Sequence, residues 1–299
     1  MDRLEWMSIL IAVVDAGSLS AASRQLGIPL ATISRKVGEL EAHLKTRLLH
    51  RTTRQISLTE VGESYVASCR RILEDIIETE RAATGEYAAP RGHLVATAPL
   101  ILGRLHVVPV MASFLAHYPE INARLLLTDR AVHLLEEHVD VALRIGRLPD
   151  STLVAIRVGE TRPVVCASPA YLAAHGTPAT PAELANHACV TFDGLTSPHV
   201  WTFCVGRSEQ TVQIHSRLVT NTAESAVDAA MHGAGLTRVL SYQVTDALRG
   251  GRLQLVLEKY RLAPLPIQLV HAGQSPLPLK LRAFLDFMSP RLRALVATG

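Results

Sequence analysis

Seven basic side chains lie close together in the first part of the chain, between Gly17 and Leu58. They are Arg24, Arg35, Lys36, Lys45, Arg47, Arg51 and Arg54, and two acids, Glu39 and Glu41, oppose them. This stretch therefore has a net charge of +5, whereas the whole chain has +3. Lys and Arg side chains gathered on one surface neutralise backbone phosphates, so the stretch predicts a contact with nucleic acid.

Three short helices are predicted to position these basic side chains. They cover Arg3–Ala16, Ala21–Leu26 and Leu30–Leu44. Ser18 or Ser20 can cap the second helix, and Gly27 ends it. The apolar face of the third helix contains Ile33, Val37, Leu40 and Leu44. Its opposite, polar face contains Thr32, Arg35, Lys36 and Glu39. Two helices joined by a tight turn predict a helix-turn-helix, whose second helix enters the major groove of DNA.

A hairpin is predicted directly after the third helix, over Leu48–Leu58, where apolar and polar residues alternate. Arg51 and Arg54 lie at or near its tip. Beside a basic helix, such a hairpin is interpreted as a wing that contacts the DNA backbone or the minor groove. The alternative is a solvated loop with incidental arginines.

A long helix is predicted to follow, capped by Thr59 and reaching about Glu86. It has an apolar stripe that includes Val61, Tyr65, Cys69, Ile72 and Ile76. The small N-terminal domain alone cannot bury such a stripe, so the same helix of a second subunit is the expected partner. The composition of residues 88–92 indicates a hinge after this helix.

The remainder of the chain, from His93 onward, alternates strands and helices. This order predicts an α/β domain with a mostly parallel sheet, including helices over Leu102–Tyr118 and Ala131–Glu137. With 299 residues, 48% of them hydrophobic, the chain is long enough for two domains with sizeable cores. No apolar run approaches the roughly 20 residues that span a bilayer, so no membrane contact is expected.

The cysteines and histidines do not predict a cofactor or metal site. The four cysteines are widely spaced without a CxxC pair, which favours a reducing, cytoplasmic location. Redox sensing by Cys166 or Cys204 is an alternative to inert apolar thiols. His133 and His138 lack the HExxH interval, and no nucleophile elbow or Walker loop occurs. We therefore expect no catalytic residue, no metal and no cofactor.

The sequence resembles the LysR-type transcriptional regulators, most densely over its first 62 residues. The matching segments are Gly17–Ala22, Leu26–Gly27, Ile33–Val37, Leu40–Glu41, Leu48, Arg51–Arg54 and Leu58–Gly62, with weaker marks at 114–119, 140–146, 167–172 and 233–236. The resemblance implies a winged helix-turn-helix (residues 1–58), a linker helix for dimerisation (59–90) and an effector-binding domain (91–299). The last would resemble a periplasmic binding protein, with one α/β subdomain from 91–162 plus 267–299 and another from 163–266.

The resemblance also implies the partners of the protein. These are double-stranded promoter DNA, a small-molecule effector in the cleft between the subdomains, and a second copy in a homodimer or homotetramer. RNA polymerase is a further candidate partner. Two alternatives remain: a C-terminal domain that acts only in oligomerisation, and an enzyme on the same α/β scaffold.

The residues expected to contact DNA lie on the second and third helices and on the wing. They are Ser20, Pro29, Leu30, Thr32, Ser34, Arg35, Lys36, Arg51 and Arg54. Where the family commonly has Ser-Gln-Pro, this chain has Pro29, Leu30 and Ala31. Leu30 can offer only an apolar contact, for instance to a thymine methyl group. Polar readout is therefore expected from Thr32 and Arg35, with phosphate contacts from Ser34 and Lys36.

The residues expected to contact an effector lie at or just after the ends of predicted strands. They are Pro99, Leu100, Ile101, Arg144, Ile145, Gly146, Thr220, Asn221 and Thr222. Arg144 can pair with an anionic effector, or structurally with Asp140 or Asp150. Asn221 and Glu224 have the capping-box interval, which allows an anion site or simply a capped helix. Residues 99–101 offer no hydroxyl group, which favours an aromatic or hydrophobic acid.

Overall fold

The computed structural model describes residues 2–51, 56–84, 89–148, 152–193, 199–273 and 277–297. The chain divides into two compact units, Met1–Gly92 and His93–Gly299. The first unit is mainly helical, and the second contains strands and helices in alternation. The predicted fold class, N-terminal helices with a short hairpin followed by an α/β module, is confirmed.

The first unit contains four helices and a short hairpin. The elements are α1 (Arg3–Asp15), α2 (Leu19–Leu26), α3 (Leu30–Leu44), β1 (Leu49–Arg51), β2 (Ile56–Leu58) and α4 (Glu60–Thr84). The bounds of α3 are those predicted. Ser18 caps α2, because its Oγ accepts a hydrogen bond from Ala21 N at 3.1 Å. Gly27 ends α2 with a left-handed φ of 66°.

The core of this unit lies between α1, α2, α3 and the hairpin. Fully buried side chains from these elements include Leu10, Val13, Ala22, Ile33, Val37 and Leu48. Glu41 joins α3 to the hairpin, since its Oε1 accepts hydrogen bonds from Leu48 N and Leu49 N at 2.9 and 3.1 Å. Thr59 caps α4 as predicted, with its Oγ1 accepting from Gly62 N at 2.9 Å.

The second unit contains two five-stranded sheets with helices packed on them. Its first elements are β3 (Gly92–Ala98), α5 (Leu100–Leu102), α6 (Val108–His117), β4 (Ile121–Leu127), β5 (Val141–Ile145), β6 (Leu153–Thr161), β7 (Pro163–Ala167), α7 (Pro169–His175) and β8 (Ala188–Phe192). There follow β9 (Val200–Val205), β10 (Ser208–Gln213), β11 (His215–Thr220), α8 (Ala223–Met231), β12 (Leu236–Leu240), α9 (Thr245–Arg249), β13 (Gln254–Val256), β14 (Leu265–Ala272) and α10 (Leu279–Ala297).

Both large sheets are mixed, so the prediction of a mostly parallel sheet is wrong. The strand orders are β4-β3-β5-β14-β6 and β11-β8-β12-β7-β13. β3 pairs with β5, and β8 with β11 and β12, in parallel. β14 is antiparallel to β5 and β6, and β7 is antiparallel to β12 and β13. The antiparallel pairs arise because the chain passes from β6 directly into β7 of the other sheet and later returns through β14.

Two segments of the second unit differ from the predicted helices. The predicted helix over 131–137 is absent, since residues 134–138 form turns. The bond from Glu137 N to His133 O is followed by His138, whose left-handed φ of 53° does not continue a helix. The predicted helix Leu102–Tyr118 contains a π-helical turn, Gly103–Val107, between α5 and α6.

One stretch of the described residues, Leu100–His117, is long and apolar enough to cross a membrane, contrary to the prediction that no such run exists. Its buried residues, among them Leu102, Val110, Met111 and Phe114, belong to the core of the second unit. A helix that is packed against a sheet is apolar for that reason.

Candidate nucleic-acid interface and ligand cavity

The first turn of α3 presents an apolar, uncapped surface. Pro29 precedes the helix and provides no side-chain cap, while Thr32 N and Ile33 N both donate to Pro29 O. Leu30 is 45% exposed, and Pro29 and Ala31 are also exposed. The end of α3 that enters a major groove in a helix-turn-helix thus carries a leucine at its surface.

The two basic residues of α3 differ in their surroundings. The Arg35 side chain is 63% exposed, and its Nη1 lies 2.7 Å from Oε1 of Glu39, one helical turn later. The Lys36 side chain is only 17% exposed, and its Nζ pairs with Glu5 on α1. Arg35 is thus the accessible cation of this helix, whereas Lys36 helps to hold α1 against α3.

The other predicted DNA contacts lie around this helix. Ser20 is exposed on α2, and Thr32 and Ser34 are half-buried on α3. Arg51 ends β1, and its side chain lies outside the described residues, as does all of Arg54. The structure therefore gathers Pro29, Leu30, Thr32, Ser34, Arg35 and Lys36 on one helix and leaves the wing tip undescribed.

The apolar stripe of α4 is partly exposed in the single chain. Val61 is 54% and Ile72 38% exposed, and Tyr65 and Ile76 are half-buried. Cys69 is fully buried, so it has no surface to offer a second subunit. Burial, together with the neighbouring Cys69, raises the pKa of Tyr65 to about 12.

A cavity of about 100 Å³ lies in the second unit where five strands end. The carboxyl ends of β3, β4, β5, β8 and β12 meet there. Its lining consists of Thr97, Ala98, Pro99, Thr128, Asp129, Arg130, Leu143, Arg144, Ile145, Phe192, Leu240, Tyr242 and Gln243. Ligands of α/β proteins commonly bind at such strand ends.

Three of the predicted effector residues, Pro99, Arg144 and Ile145, line this cavity, and the other six do not. Leu100 and Ile101 instead pack against the core between α8 and the second sheet, where Ile101 is buried. The lining residues that sequence reasoning missed, such as Thr128, Asp129 and Tyr242, follow strand ends. The rule that selected Pro99 selects Thr128 and Asp129 when it is applied to β4.

Three of the remaining predicted residues, Gly146, Thr220 and Thr222, have structural partners. Gly146 N donates to Pro266 O at 2.9 Å. Thr220 Oγ1 donates to Thr222 O at 2.9 Å. Thr222 caps α8 by accepting from Ser225 N at 3.2 Å, so the predicted cap by Asn221 is wrong. Glu224 does not complete a capping box with Asn221, because it pairs with Arg104 at 2.7 Å.

The polar groups of the cavity include one half-buried cation. Arg144 Nη2 donates to Val132 O, and burial lowers the pKa of its guanidinium, which nevertheless stays charged. Arg130 pairs with Glu137 and, by that hydrogen bond, lowers the pKa of Glu137 to about 2. Asp129 Oδ1 accepts from Leu100 N at 3.0 Å.

The aromatic wall of the cavity is formed by Phe192 and Tyr242. Burial, with a contribution from Asp129, raises the pKa of the Tyr242 hydroxyl, which therefore remains a neutral donor and acceptor. Arg144 thus offers positive charge beside two aromatic rings.

Cys166 and Cys189, two of the four cysteines, have buried thiols. Burial raises the pKa of each thiol to about 12. Such thiols are protonated at neutral pH and are poor nucleophiles. In the part of the chain that the structure describes, no group of three or more potential metal-ligating residues was found.

Models of known protein families match residues in both units of the chain. The model described as "Bacterial regulatory helix-turn-helix protein, lysR family" matches residues 4–63. The model described as "LysR substrate binding domain" matches residues 88–293. Neither model includes residues 64–87, which contain most of α4.

Known proteins resemble the chain over nearly its whole length. An HTH-type transcriptional regulator from Xanthomonas campestris pv. campestris is 36% identical over 95% of this chain and 84% of its own. Among solved structures, CrgA, a LysR-type transcriptional regulator from Neisseria meningitidis, is 32% identical, with a TM-score of 0.62 over 98% of this chain and 99% of its own. The Vibrio cholerae virulence activator AphB is 28% identical, with a TM-score of 0.61 over 96% and 98%.

Proposed function

This chain belongs to the LysR family of bacterial transcriptional regulators, with a DNA-binding helix-turn-helix and an effector-binding domain, and from that premise we propose how it works. Two copies, paired through α4, place two α3 helices in successive major grooves of promoter DNA. A small organic acid, aromatic or hydrophobic, binds the cavity and changes the spacing of the DNA-binding domains. The proposed domains are 1–58, 59–90 and 91–299.

The exposed surface of α3 is the observation that carries this proposal. Leu30 and Arg35 combine an apolar contact with a long charged donor on the helix that enters the groove. Thr32 and Ser34 lie on the same helix, and Ser20 is on α2. Arg51 and Arg54 add wing contacts to the backbone or the minor groove.

The decisive experiment is an electrophoretic shift titration with duplexes that tile the region upstream of this gene and its neighbours. We expect one or more duplexes to bind at lower protein concentration than a scrambled duplex of the same length and composition. Equal affinity for all duplexes at low salt would contradict the proposed function, because a regulator must discriminate its site from other DNA.

The proposed effector is small because the cavity is small. A cavity of about 150 Å³ in another protein accommodates benzene, so a cavity of about 100 Å³ limits the effector to a short acid or, at most, a single ring. The positive charge of Arg144 favours a carboxylate, and Phe192 and Tyr242 favour a flat apolar body.

Substitution of Arg144 tests the charge of the effector. A calorimetric screen with benzoate and short aliphatic carboxylates should identify a binding acid. We then expect Arg144→Gln to weaken its affinity about ten- to a hundredfold, since hydrogen bonds to charged groups contribute about 1.5–3 kcal/mol.

The matched control is Arg147→Gln, which removes an exposed cation that does not line the cavity. It should leave acid binding unchanged. Equal losses in both variants would contradict a specific contact with Arg144. If no acid binds, the proposal of an acid effector fails, and the result favours the alternative in which the second domain acts only in oligomerisation.

The proposed pairing surface is the exposed part of the α4 stripe, Val61, Tyr65, Ile72 and Ile76, without the buried Cys69. Val61 and Ile72 point in nearly the same direction, because eleven residues make about three helical turns.

We expect the double substitution Val61→Asp and Ile72→Asp to convert the dimer to a monomer in size-exclusion chromatography with light scattering. Ala67→Asp, at an exposed position on the opposite side of α4, is the control and should stay dimeric. A dimeric double variant would contradict this pairing surface.

Further features of the proposal follow from the family. The protein acts in the cytoplasm, where promoter DNA lies, and forms homodimers or homotetramers. RNA polymerase is its proposed partner at the promoter. The homologues are named as transcriptional regulators, and we propose no enzymatic activity.

A further inference from the structure

Each cation of α3 has its own carboxylate partner. Arg35 Nη1 lies 2.7 Å from Glu39 Oε1, and Lys36 Nζ pairs with Glu5. Both carboxylates therefore lie beside the helix that the proposed function places in the major groove. A carboxylate in that position repels phosphates, so it opposes the general attraction of this unit for DNA.

Helix stability does not explain the Arg35–Glu39 pair. In an α-helix the favourable order places the acid four residues before the base, whereas here the base comes first. An exposed pair at this spacing contributes little to stability even in the better order. We therefore attribute the position of Glu39 to DNA binding and not to the stability of the fold.

The geometry of a guanidinium shows what the pair can do. Arg35 has five N–H donors, and Glu39 engages Nη1. The remaining donors can reach the O6 and N7 atoms of a guanine while the contact with Glu39 persists. A phosphate, by contrast, brings its negative charge next to the Glu39 carboxylate. The pair thus permits contact with a base edge and disfavours contact with the backbone.

On this basis we propose that Glu39 is a specificity-determining residue, which positions Arg35 for a base edge and penalises its binding to phosphates. Glu5 has the related role of withholding Lys36 from the backbone. The inference rests on the proposed function, because it concerns how the same DNA surface distinguishes its site from other DNA. Specificity of this kind arises from a repulsive element against the wrong partner.

The test compares Glu39→Gln and Glu5→Gln with the wild type in the full-length protein. Fluorescence anisotropy measures the affinity for the tightest upstream duplex and for its scrambled counterpart between about 50 and 200 mM salt. For Glu39→Gln we expect the scrambled duplex to bind about three- to tenfold more tightly at low salt. The upstream duplex should change less than twofold, so the ratio of the two affinities falls.

The salt dependence provides a second readout. When a cation is freed from its carboxylate partner and contacts a phosphate, the logarithm of the association constant falls more steeply with the logarithm of the salt concentration. The slope changes by about 0.9 for each such contact. We expect that change for Glu39→Gln on the scrambled duplex and for Glu5→Gln on both duplexes. A purely structural role for either acid would leave these slopes unchanged, and thermal unfolding midpoints will show whether the variants are folded.

The matched control is Glu160→Gln in the second unit. Glu160 pairs with Arg157 at 2.7 Å on an exposed surface, so this substitution changes net charge by the same amount. It should alter neither the affinity ratio nor the slopes. The inference is overturned if Glu39→Gln changes both duplexes equally or behaves like the control. A wild type that prefers no duplex would overturn the proposed function instead.

Discussion

Arg35→Ala is expected to weaken binding to the preferred upstream duplex by about 5- to 150-fold, since a bidentate contact with a base contributes about 1–3 kcal/mol. The structure supports this size of effect, because Arg35 is the accessible cation of α3, with a side chain that is 63% exposed. Its exposure also means that the substitution removes little packing, so the fold should be retained.

The measurement is a shift titration with the preferred and the scrambled duplex. Loss of a base contact affects the preferred duplex more than the scrambled one, whereas loss of a phosphate contact affects both equally. Arg24→Ala is the control, because Arg24 is an exposed cation of α2 and its substitution changes the net charge by the same amount. We expect a small and equal loss on both duplexes for that variant. Unchanged affinity of Arg35→Ala for the preferred duplex would exclude Arg35 as a readout residue.

Local signals in the sequence predicted the first unit well. The apolar spacing of Ile33, Val37 and Leu40 defined α3, and the structure has the helix with the same bounds. The hydroxyl of Thr59 marked the start of α4, and its side chain caps the helix. Periodicity and capping depend on residues a few positions apart, which a single sequence displays directly.

Pairing between distant side chains could not be predicted in the same way. Lys36 is predicted to contact phosphate, and the sequence gives no sign that it also pairs with Glu5 of α1, at a separation that periodicity does not reveal. The interval between Asn221 and Glu224 predicts a capping box on α8, but Glu224 pairs with Arg104 from the π-helical turn. These contacts depend on how the elements pack, and only the tertiary structure defines that.

The residues that line the cavity were predicted from the sequence in part only. Strand ends were the correct signal, and Pro99, Arg144 and Ile145 line the cavity. Thr220, Asn221 and Thr222 also lie at or after the end of a strand, β11, but these residues do not line the cavity. The order of strands in a sheet decides which ends meet, and a single sequence does not display that order.

Gly62→Ala is expected to destabilise the first unit by about 2–3 kcal/mol, as overpacking does in a close-packed interior. A Cβ atom at Gly62 would lie 2.1 Å from Leu48 O and 3.1 Å from Leu58 Cδ2. Leu48 O also accepts from Thr59 N at 3.0 Å. The first turn of α4 thus rests directly on the backbone of the hairpin, and a methyl group must separate them.

The expected result is a fall of about 10 to 20 °C in the unfolding midpoint of the first unit, because about 1 kcal/mol corresponds to 4–8 °C in a domain of this size. Calorimetry of the full chain measures it, and DNA binding should be lost at temperatures that the wild type tolerates. Gly38→Ala is the matched control, since a Cβ there meets no atom within 4 Å and Gly38 lies inside α3. Alanine is the better helix former, so that variant should gain up to about 1 kcal/mol. If both variants unfold at the same temperature, the close approach of α4 to the hairpin does not limit the stability of this unit.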